Sequence, residues 1–120
     1  MEDNAIFWEY LEKLVKDNEI VIDRPKGTKH PKYENMVYMA DYGYIQNTQS
    51  MDGGGIDVFV GTDKNRNLDA IVCIIDLLKK DSEIKLLIGC TENEKLDIYN
   101  FLNNSEYMKA IIVKRSKIWK

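Results

Sequence analysis

The chain has 120 residues, of which 44% are hydrophobic and 31% are charged, and its formal net charge at pH 7 is -3. This length and composition predict one folded domain spanning residues 1–120, and the negative net charge argues against nucleic acid as a main partner. The sequence contains no run of roughly 18 apolar residues that could span a membrane, and its acidic start is unlike a signal peptide, so we expect a cytoplasmic protein with no membrane partner.

The first half of the chain predicts one helix followed by short strands. Apolar residues recur at helical spacing within residues 6–15, which is typical of a helix with one buried face. The β-branched residues 20–22 predict a first strand, and residues 24–32, which contain both prolines, predict a loop. Residues 36–40 and 56–61 predict two further short extended segments.

The second half predicts a hairpin, a helix and a last strand. Residues 68–78 and 83–89 are strongly apolar and are separated by a short polar segment, which is typical of a core hairpin. Thr91 and Glu94 form a capping-box signature, and residues 110–115 predict the last strand. Together the elements predict an α+β domain: a small curved or closed antiparallel, OB-like barrel sheet of about five strands, with one helix near each end of the chain.

Carboxylates are concentrated at loops and strand ends in the middle of the chain. Asp52 and Asp57 flank the glycines of residues 53–55, and Asp81 and Glu83 lie at the tip of the predicted hairpin. If these side chains converge at one mouth of the sheet, they offer the oxygen ligands that Mg²⁺ or Mn²⁺ prefers, and neighbouring lysines and tyrosines suit a phosphate group. The alternative is a set of solvated turns, because aspartate and glycine favour turns for backbone reasons alone. The residues by themselves leave both interpretations open.

Residues 38–58 also carry an ordered motif. They contain a tyrosine–glycine–tyrosine step, a threonine, an aspartate–glycine pair and an aspartate–valine pair. The positions are Tyr38, Tyr42, Gly43, Tyr44, Thr48, Asp52, Gly53, Asp57 and Val58. In order and spacing they resemble the signature of the soluble family I inorganic pyrophosphatases, and weaker matches on both sides extend the resemblance loosely over residues 20–110.

The resemblance implies an enzyme that hydrolyses inorganic pyrophosphate, or a related phosphoanhydride, to phosphate with a metal-activated water. The implied cofactor is Mg²⁺, with Mn²⁺ as the alternative, and the implied partners are a small phosphate-containing substrate and further copies of the chain in a homo-oligomer. The implied metal ligands are Asp23, Asp52, Asp57, Asp81 and Glu83. The implied substrate contacts are Lys32, Tyr42, Lys85, Tyr107 and Lys109, with Arg24 as a candidate replacement for a family arginine that this chain lacks. The residues assigned to catalysis are Asp52, Asp57, Lys32, Tyr42 and Lys85.

The chain departs from the family pattern at two glycines. Gly54 stands where the family has the middle aspartate, which helps to activate the attacking water, and Gly55 stands where the family has proline. These replacements predict reduced activity or a bulkier organic diphosphate as substrate, and they leave open a binding or regulatory module that has lost the chemistry. Nucleic-acid binding on a small barrel is a further alternative, which surface tyrosines and lysines favour and the negative charge opposes. We expect His30 to face solvent or phosphate rather than a metal, because magnesium sites prefer oxygen.

Overall fold

The computed structural model describes residues 4–50 and 53–116 of the chain. Within these residues the elements are, in chain order, α1 (Ala5–Lys16), β1 (Ile20–Arg24), β2 (Asp41–Ile45), β3 (Ile56–Val60), β4 (Leu68–Asp76), β5 (Asp81–Ile88), α2 (Glu92–Asn103) and β6 (Met108–Lys114). The predicted α+β class, with one helix near each end of the chain, is confirmed.

The strands of the described residues form a six-stranded sheet in the order β1-β2-β3-β5-β4-β6. The predicted hairpin is confirmed, since β4 and β5 pair antiparallel with Asp76 opposite Asp81. β3 pairs with β5 in parallel, with Val58 opposite Leu86, so the sheet is mixed rather than wholly antiparallel. β1 and β6 are its edges, and the sheet is therefore curved but not closed. β2 lies just after the extended segment expected at residues 36–40.

Residues 27–38 form an irregular hairpin, which we call the arm. Its two sides are joined by a backbone hydrogen bond of 2.8 Å from Gly27 N to Tyr38 O and by another of 2.8 Å from His30 N to Met36 O. The predicted loop at residues 24–32 therefore supplies only the first side of a longer structure. The arm connects β1 to β2 and lies next to the ends of both strands.

The pleat of the sheet divides its side chains between two cores. Because successive residues of a strand point to opposite faces, Phe59 and Leu87 pack in one cluster with Ile98 of α2. Their neighbours, such as Val58, pack in a second cluster with Trp8 of α1. We call these the α2 face and the α1 face. Polar residues at every second position before Phe59 in β3 and before Leu87 in β5 must therefore also lie on the α2 face.

The predicted capping box at the start of α2 is confirmed. The Glu94 N–H donates to Thr91 Oγ1 at 3.1 Å, and the Thr91 N–H donates to Glu94 Oε1 at 2.8 Å. The Glu94 carboxylate also accepts a hydrogen bond from Thr62 N, which ties the loop after β3 to the helix. Both helices of the described residues are 12 residues long, and neither has the length and apolar character needed to cross a membrane.

We expect Thr91→Ala to lower the free energy of unfolding by about 1 kcal/mol, because it removes the side-chain acceptor for the Glu94 N–H. Urea denaturation followed by circular dichroism measures the change. Thr91→Ser is the matched control, since serine keeps the hydroxyl. Equal losses in the two variants would show that the cap does not carry this stability.

Candidate active site

Lys85 is the centre of a polar cluster on the α2 face. Its Nζ donates to Asp57 Oδ2 at 2.9 Å and to the Tyr42 hydroxyl at 2.6 Å, and it lies 3.3 Å from Glu83 Oε1. Only 8% of Lys85 is exposed. A buried ammonium is costly unless it is paired and hydrogen-bonded, so these carboxylates are what allows the lysine to lie here. We call Tyr42, Asp57, Glu83 and Lys85 the Lys85 cluster.

The register of three strands brings this cluster together. β2 and β3 pair Tyr42 with Phe59, so that Tyr42 lies on the same face as Asp57, which is two residues before Phe59 in the strand. The parallel pairing of β3 with β5 then sets Asp57 beside Lys85. Glu83 lies two residues before Lys85 in β5, so its side chain points to the same face of the sheet. Acidic residues from two distant segments therefore meet around one ammonium.

The Tyr42 phenol is held in its neutral form. Burial is the largest influence and raises its pKa, and the negative charge of Asp57, a hydrogen bond to the same residue and the charge of Glu83 raise it further. The hydroxyl therefore keeps its proton and donates to Asp57 while it accepts from Lys85. Tyr42 acts as a fixed hydrogen-bond donor beside two charged groups.

A bulge in β1 brings a second cation to this face. The register shifts between Ile22 and Arg24, so that Arg24 pairs with Tyr42, and the bulged residue Asp23 is exposed. Arg24 Nη1 donates to the Tyr38 hydroxyl at 2.5 Å, and its guanidinium lies over the rings of Tyr38 and Tyr42, with its carbon 5.6 Å and 5.7 Å from their centroids. Partial burial acts to lower the pKa of Arg24, but the hydrogen bond to Tyr38 and the nearby phenols raise it overall. The guanidinium stays cationic above the aromatic rings.

Further positive charge surrounds His30 in the arm. Burial lowers the pKa of His30 first, and the charges of Arg24, Lys32 and Lys79 lower it further. His30 Nδ1 accepts a hydrogen bond from Lys32 N at 3.0 Å. Lys79 comes from the turn between β4 and β5. We call Arg24, Lys32 and Lys79 the cationic rim, and positive charge of this kind attracts phosphate groups.

The structure does not bring every residue implied by the resemblance into contact with the Lys85 cluster. Asp81 lies on the same face of β5 as Glu83 and pairs with Asp76 in the ladder, but among residues 4–50 and 53–116 its carboxylate takes no part in the ion pairs of the Lys85 cluster. Asp23 points outward from the bulge of β1. Asp52 lies outside the described residues. Within residues 4–50 and 53–116, no group of three or more acidic, histidine or cysteine residues is arranged to hold a metal ion.

The two implied residues near the end of the chain form their hydrogen bonds with other elements, although Lys109 lines one cavity together with Glu83. Lys109 Nζ donates to Asn103 O at the end of α2 at 3.0 Å. The backbone carbonyl of Tyr107 accepts a hydrogen bond from Leu77 N, and its side chain is half exposed. Both residues are therefore engaged at the junction of α2, β6 and the β4–β5 turn.

Two residues of the site received no functional role from the sequence. Tyr38 binds the Arg24 guanidinium, and its ring lies 5.1 Å from that of Tyr42. Lys79 contributes to the positive charge near His30. Tyr38 belongs to the family-like motif of residues 38–58, and this motif is the sequence feature that could have indicated a functional role. Lys79 belongs to a charged turn with no distinguishing pattern.

Comparisons with known proteins give the family and the fold of the chain. The family model described as Inorganic Pyrophosphatase matches residues 14–113. An inorganic pyrophosphatase from Helicobacter pylori has a similar structure, with a TM-score of 0.55 and 15% identity, over 79% of this chain and 81% of that chain. Another from Coxiella burnetii has a TM-score of 0.55 and 17% identity, over 81% and 84% of the two chains. A third, from Neisseria gonorrhoeae, has a TM-score of 0.52 and 14% identity, over 77% and 76%.

These structural similarities, at such low identities, establish the fold. A comparison with curated proteins gave no match. The family model covers most of the chain, and the matched residues include the whole of the Lys85 cluster and of the cationic rim. The chain therefore belongs to the inorganic pyrophosphatase family.

Proposed function

We propose that the chain hydrolyses inorganic pyrophosphate, or a closely related phosphoanhydride, to phosphate at the α2 face. Family membership supports pyrophosphate hydrolysis as the general activity. The observation that carries the assignment to this site is the Lys85 cluster, in which an ammonium, two carboxylates and a neutral phenol meet beside the cationic rim. Phosphoryl transfer depends mainly on positioning and charge stabilisation, and these residues can supply both.

The cations would hold the substrate. Arg24 and Lys32 lie towards the arm, whereas Lys85 lies deeper between the strands, so the two phosphoryl groups of one substrate can contact different cations. Arg24 is already fixed by its bond to Tyr38, which reduces the entropy that it loses on binding phosphate. Tyr42, which donates to Asp57 and accepts from Lys85, would position these two groups at the inner end of the substrate.

We further propose Mg²⁺, or Mn²⁺, as the cofactor. Asp57 and Glu83 supply the carboxylate oxygens that these ions prefer, and they fit such an ion, with Asp52 and Asp81 as the additional ligands implied by the family pattern. When bound, the ion supplies a water of lowered pKa and neutralises phosphate charge. Lys85 holds the two carboxylates close together, since both lie within ion-pair distance of its ammonium.

Gly54 is the residue from which we expect a reduced rate of hydrolysis. It stands at the position of the family aspartate that helps to activate water, and its carbonyl instead accepts a hydrogen bond from Ser50 N at 2.7 Å. A general base contributes about 10²–10⁴ to the rate, so we expect slower hydrolysis than a site with both carboxylates would give. The same position has no side chain that could exclude a larger substrate.

A catalytically weakened binding or regulatory module is the second candidate. The replacement of the family aspartate and proline by Gly54 and Gly55 favours it. Such a module would bind pyrophosphate through the cationic rim without releasing phosphate. Calorimetric binding combined with a negative phosphate-release assay distinguishes it from the enzyme.

Asp57→Asn tests the proposed enzyme. We expect phosphate release from pyrophosphate to fall by about 10² or more, because the variant loses a carboxylate that pairs with Lys85 and that we assign to the metal. Phosphate release at varied Mg²⁺ measures the change. Asp97→Asn, at an exposed position of α2, is the control and should be unaffected. Absence of phosphate release by the unaltered chain would overturn the proposed activity.

Removal of divalent ions tests the proposed cofactor. We expect EDTA to reduce phosphate release to the level of Asp57→Asn, and added Mg²⁺ or Mn²⁺ to restore it, because the carboxylates alone cannot lower the pKa of a water. The order of restoration by the two ions gives the metal preference. Undiminished release in EDTA would rule out a dissociable metal cofactor.

Tyr42→Phe tests the role of the buried phenol. We expect kcat/KM to fall roughly tenfold to a hundredfold, because a hydrogen bond to a charged group is worth about 1.5–3 kcal/mol. Tyr99→Phe, on the exposed side of α2, serves as the control. If Tyr42→Phe lowers the free energy of unfolding but leaves kcat/KM unchanged, the hydroxyl only stabilises the fold.

A further inference from the structure

A continuous row of aromatic rings leads from the arm to the Lys85 cluster. Tyr33 contacts His30 at 4.9 Å between ring centroids, His30 stacks on Tyr38 at 6.2 Å, and Tyr38 stacks on Tyr42 at 5.1 Å. The row begins in solvent, since Tyr33 is 53% exposed, and it ends at Tyr42, which is buried. We call these rings the aromatic row.

Cations accompany the row along its length. Lys32 is bonded through its backbone to the His30 ring, the Arg24 guanidinium covers Tyr38 and Tyr42, and the Lys85 ammonium lies 5.1 Å from the Tyr42 centroid. Tyr33 therefore offers an exposed aromatic surface at the outer end, while Tyr38 and Tyr42 are buried and positive charge from Arg24 lies over them. This order matches a molecule with a flat aromatic group at one end and phosphates at the other.

Inorganic pyrophosphate does not use the outer part of the row. It has no aromatic group, and it is small enough to be held by Arg24 and Lys85 alone. A ring that only stabilised the arm would contribute more to stability if it were buried. About half of Tyr33 is exposed, so much of its surface does not contribute in this way. An exposed ring beside a histidine and lysines is the arrangement that proteins use to stack a nucleobase.

We propose that Tyr33 and His30 form a subsite for the base of a nucleoside diphosphate, with its phosphates lying along the cationic rim towards Lys85. This inference rests on the proposed hydrolysis at the same site and names an additional substrate class for it. The lack of a side chain at Gly54 is consistent with a larger substrate. The low pKa of His30 keeps its imidazole neutral near pH 7, which avoids adding charge to the stacking surface.

The reaction on this substrate is an ordinary hydrolysis. Water forms a bond to the terminal phosphorus, and the anhydride bond between that phosphorus and the bridging oxygen breaks. The bridging oxygen leaves on the nucleoside monophosphate, inorganic phosphate is the second product, and the proton from water is released to solvent. No oxidant, reductant or further reactant is needed.

Tyr33→Ala tests the subsite, with ADP and pyrophosphate as parallel substrates of the full chain. We expect the KM for ADP to rise on the order of tenfold to a hundredfold, because one base–aromatic stack is lost, and the KM for pyrophosphate to stay unchanged. Tyr33→Phe should retain the ADP activity, since it keeps the ring. Tyr10→Ala is the matched control, because Tyr10 is a 68% exposed tyrosine on α1, away from the site.

The possible outcomes separate this inference from the proposed function. Hydrolysis of pyrophosphate without hydrolysis of ADP overturns the inference and leaves the proposed function standing. Equal losses on both substrates in Tyr33→Ala also overturn it, because the ring would then act by holding the arm in place. If neither substrate is hydrolysed, the proposed function fails, and calorimetric ADP binding decides the inference. ADP binding that Tyr33→Ala weakens and Tyr10→Ala preserves supports it, and absence of ADP binding overturns it.

Discussion

The pairing of the Lys85 ammonium with Asp57 and Glu83 is the interaction on which the site depends. An ammonium that is 8% exposed needs opposite charge and hydrogen bonds within reach, and here it receives them from β3, from β5 itself and from the Tyr42 hydroxyl of β2. A shift of one residue in any of these strands would turn the side chain concerned to the other face of the sheet. The register of the central strands and the assembly of the site are therefore fixed by the same contacts.

The parts of the fold that the sequence predicts correctly have local signals. Thr91 and Glu94 define the start of α2 within one helical turn, and charged residues from Lys79 onwards separate the apolar segments of β4 and β5. The sheet order has no such signal, because β3 and β5 are both apolar and nothing in either segment specifies a parallel pairing between them. The sequence of the arm predicts only a loop, because the arm is joined by scattered hydrogen bonds rather than by a regular ladder with alternating side chains.

The candidate site likewise has residues that the sequence predicts and others that it does not. The residues alone leave the acidic motif open between a site and a set of turns, and the family resemblance favours a site. In the structure, Asp57 and Glu83 pair with Lys85. Asp81 lies two residues further along the strand, which is about 6–7 Å, so its distance from the ammonium follows from strand geometry. The position of Arg24 beside the rings of the site follows only from the three-dimensional structure, because it depends on a bulge that no sequence pattern predicts.

Tyr42 belongs both to the Lys85 cluster and to the aromatic row, so the polar and aromatic parts of the site are mechanically connected. A substitution at Tyr38 would remove both the ring that stacks on Tyr42 and the hydrogen-bond partner of Arg24. Its effect on the preferred size of the substrate could therefore not be separated from its effect on phosphate binding. Tyr33 lies at the opposite end of the row, with His30 and Tyr38 between it and the cluster. Because it is half exposed and its ring lies against His30 rather than against the Arg24 guanidinium, it is the ring whose loss would disturb the proposed phosphate binding least. Under the proposed function, discrimination between an organic and an inorganic substrate could therefore vary at the arm while the hydrolysis proposed at Lys85 stays the same.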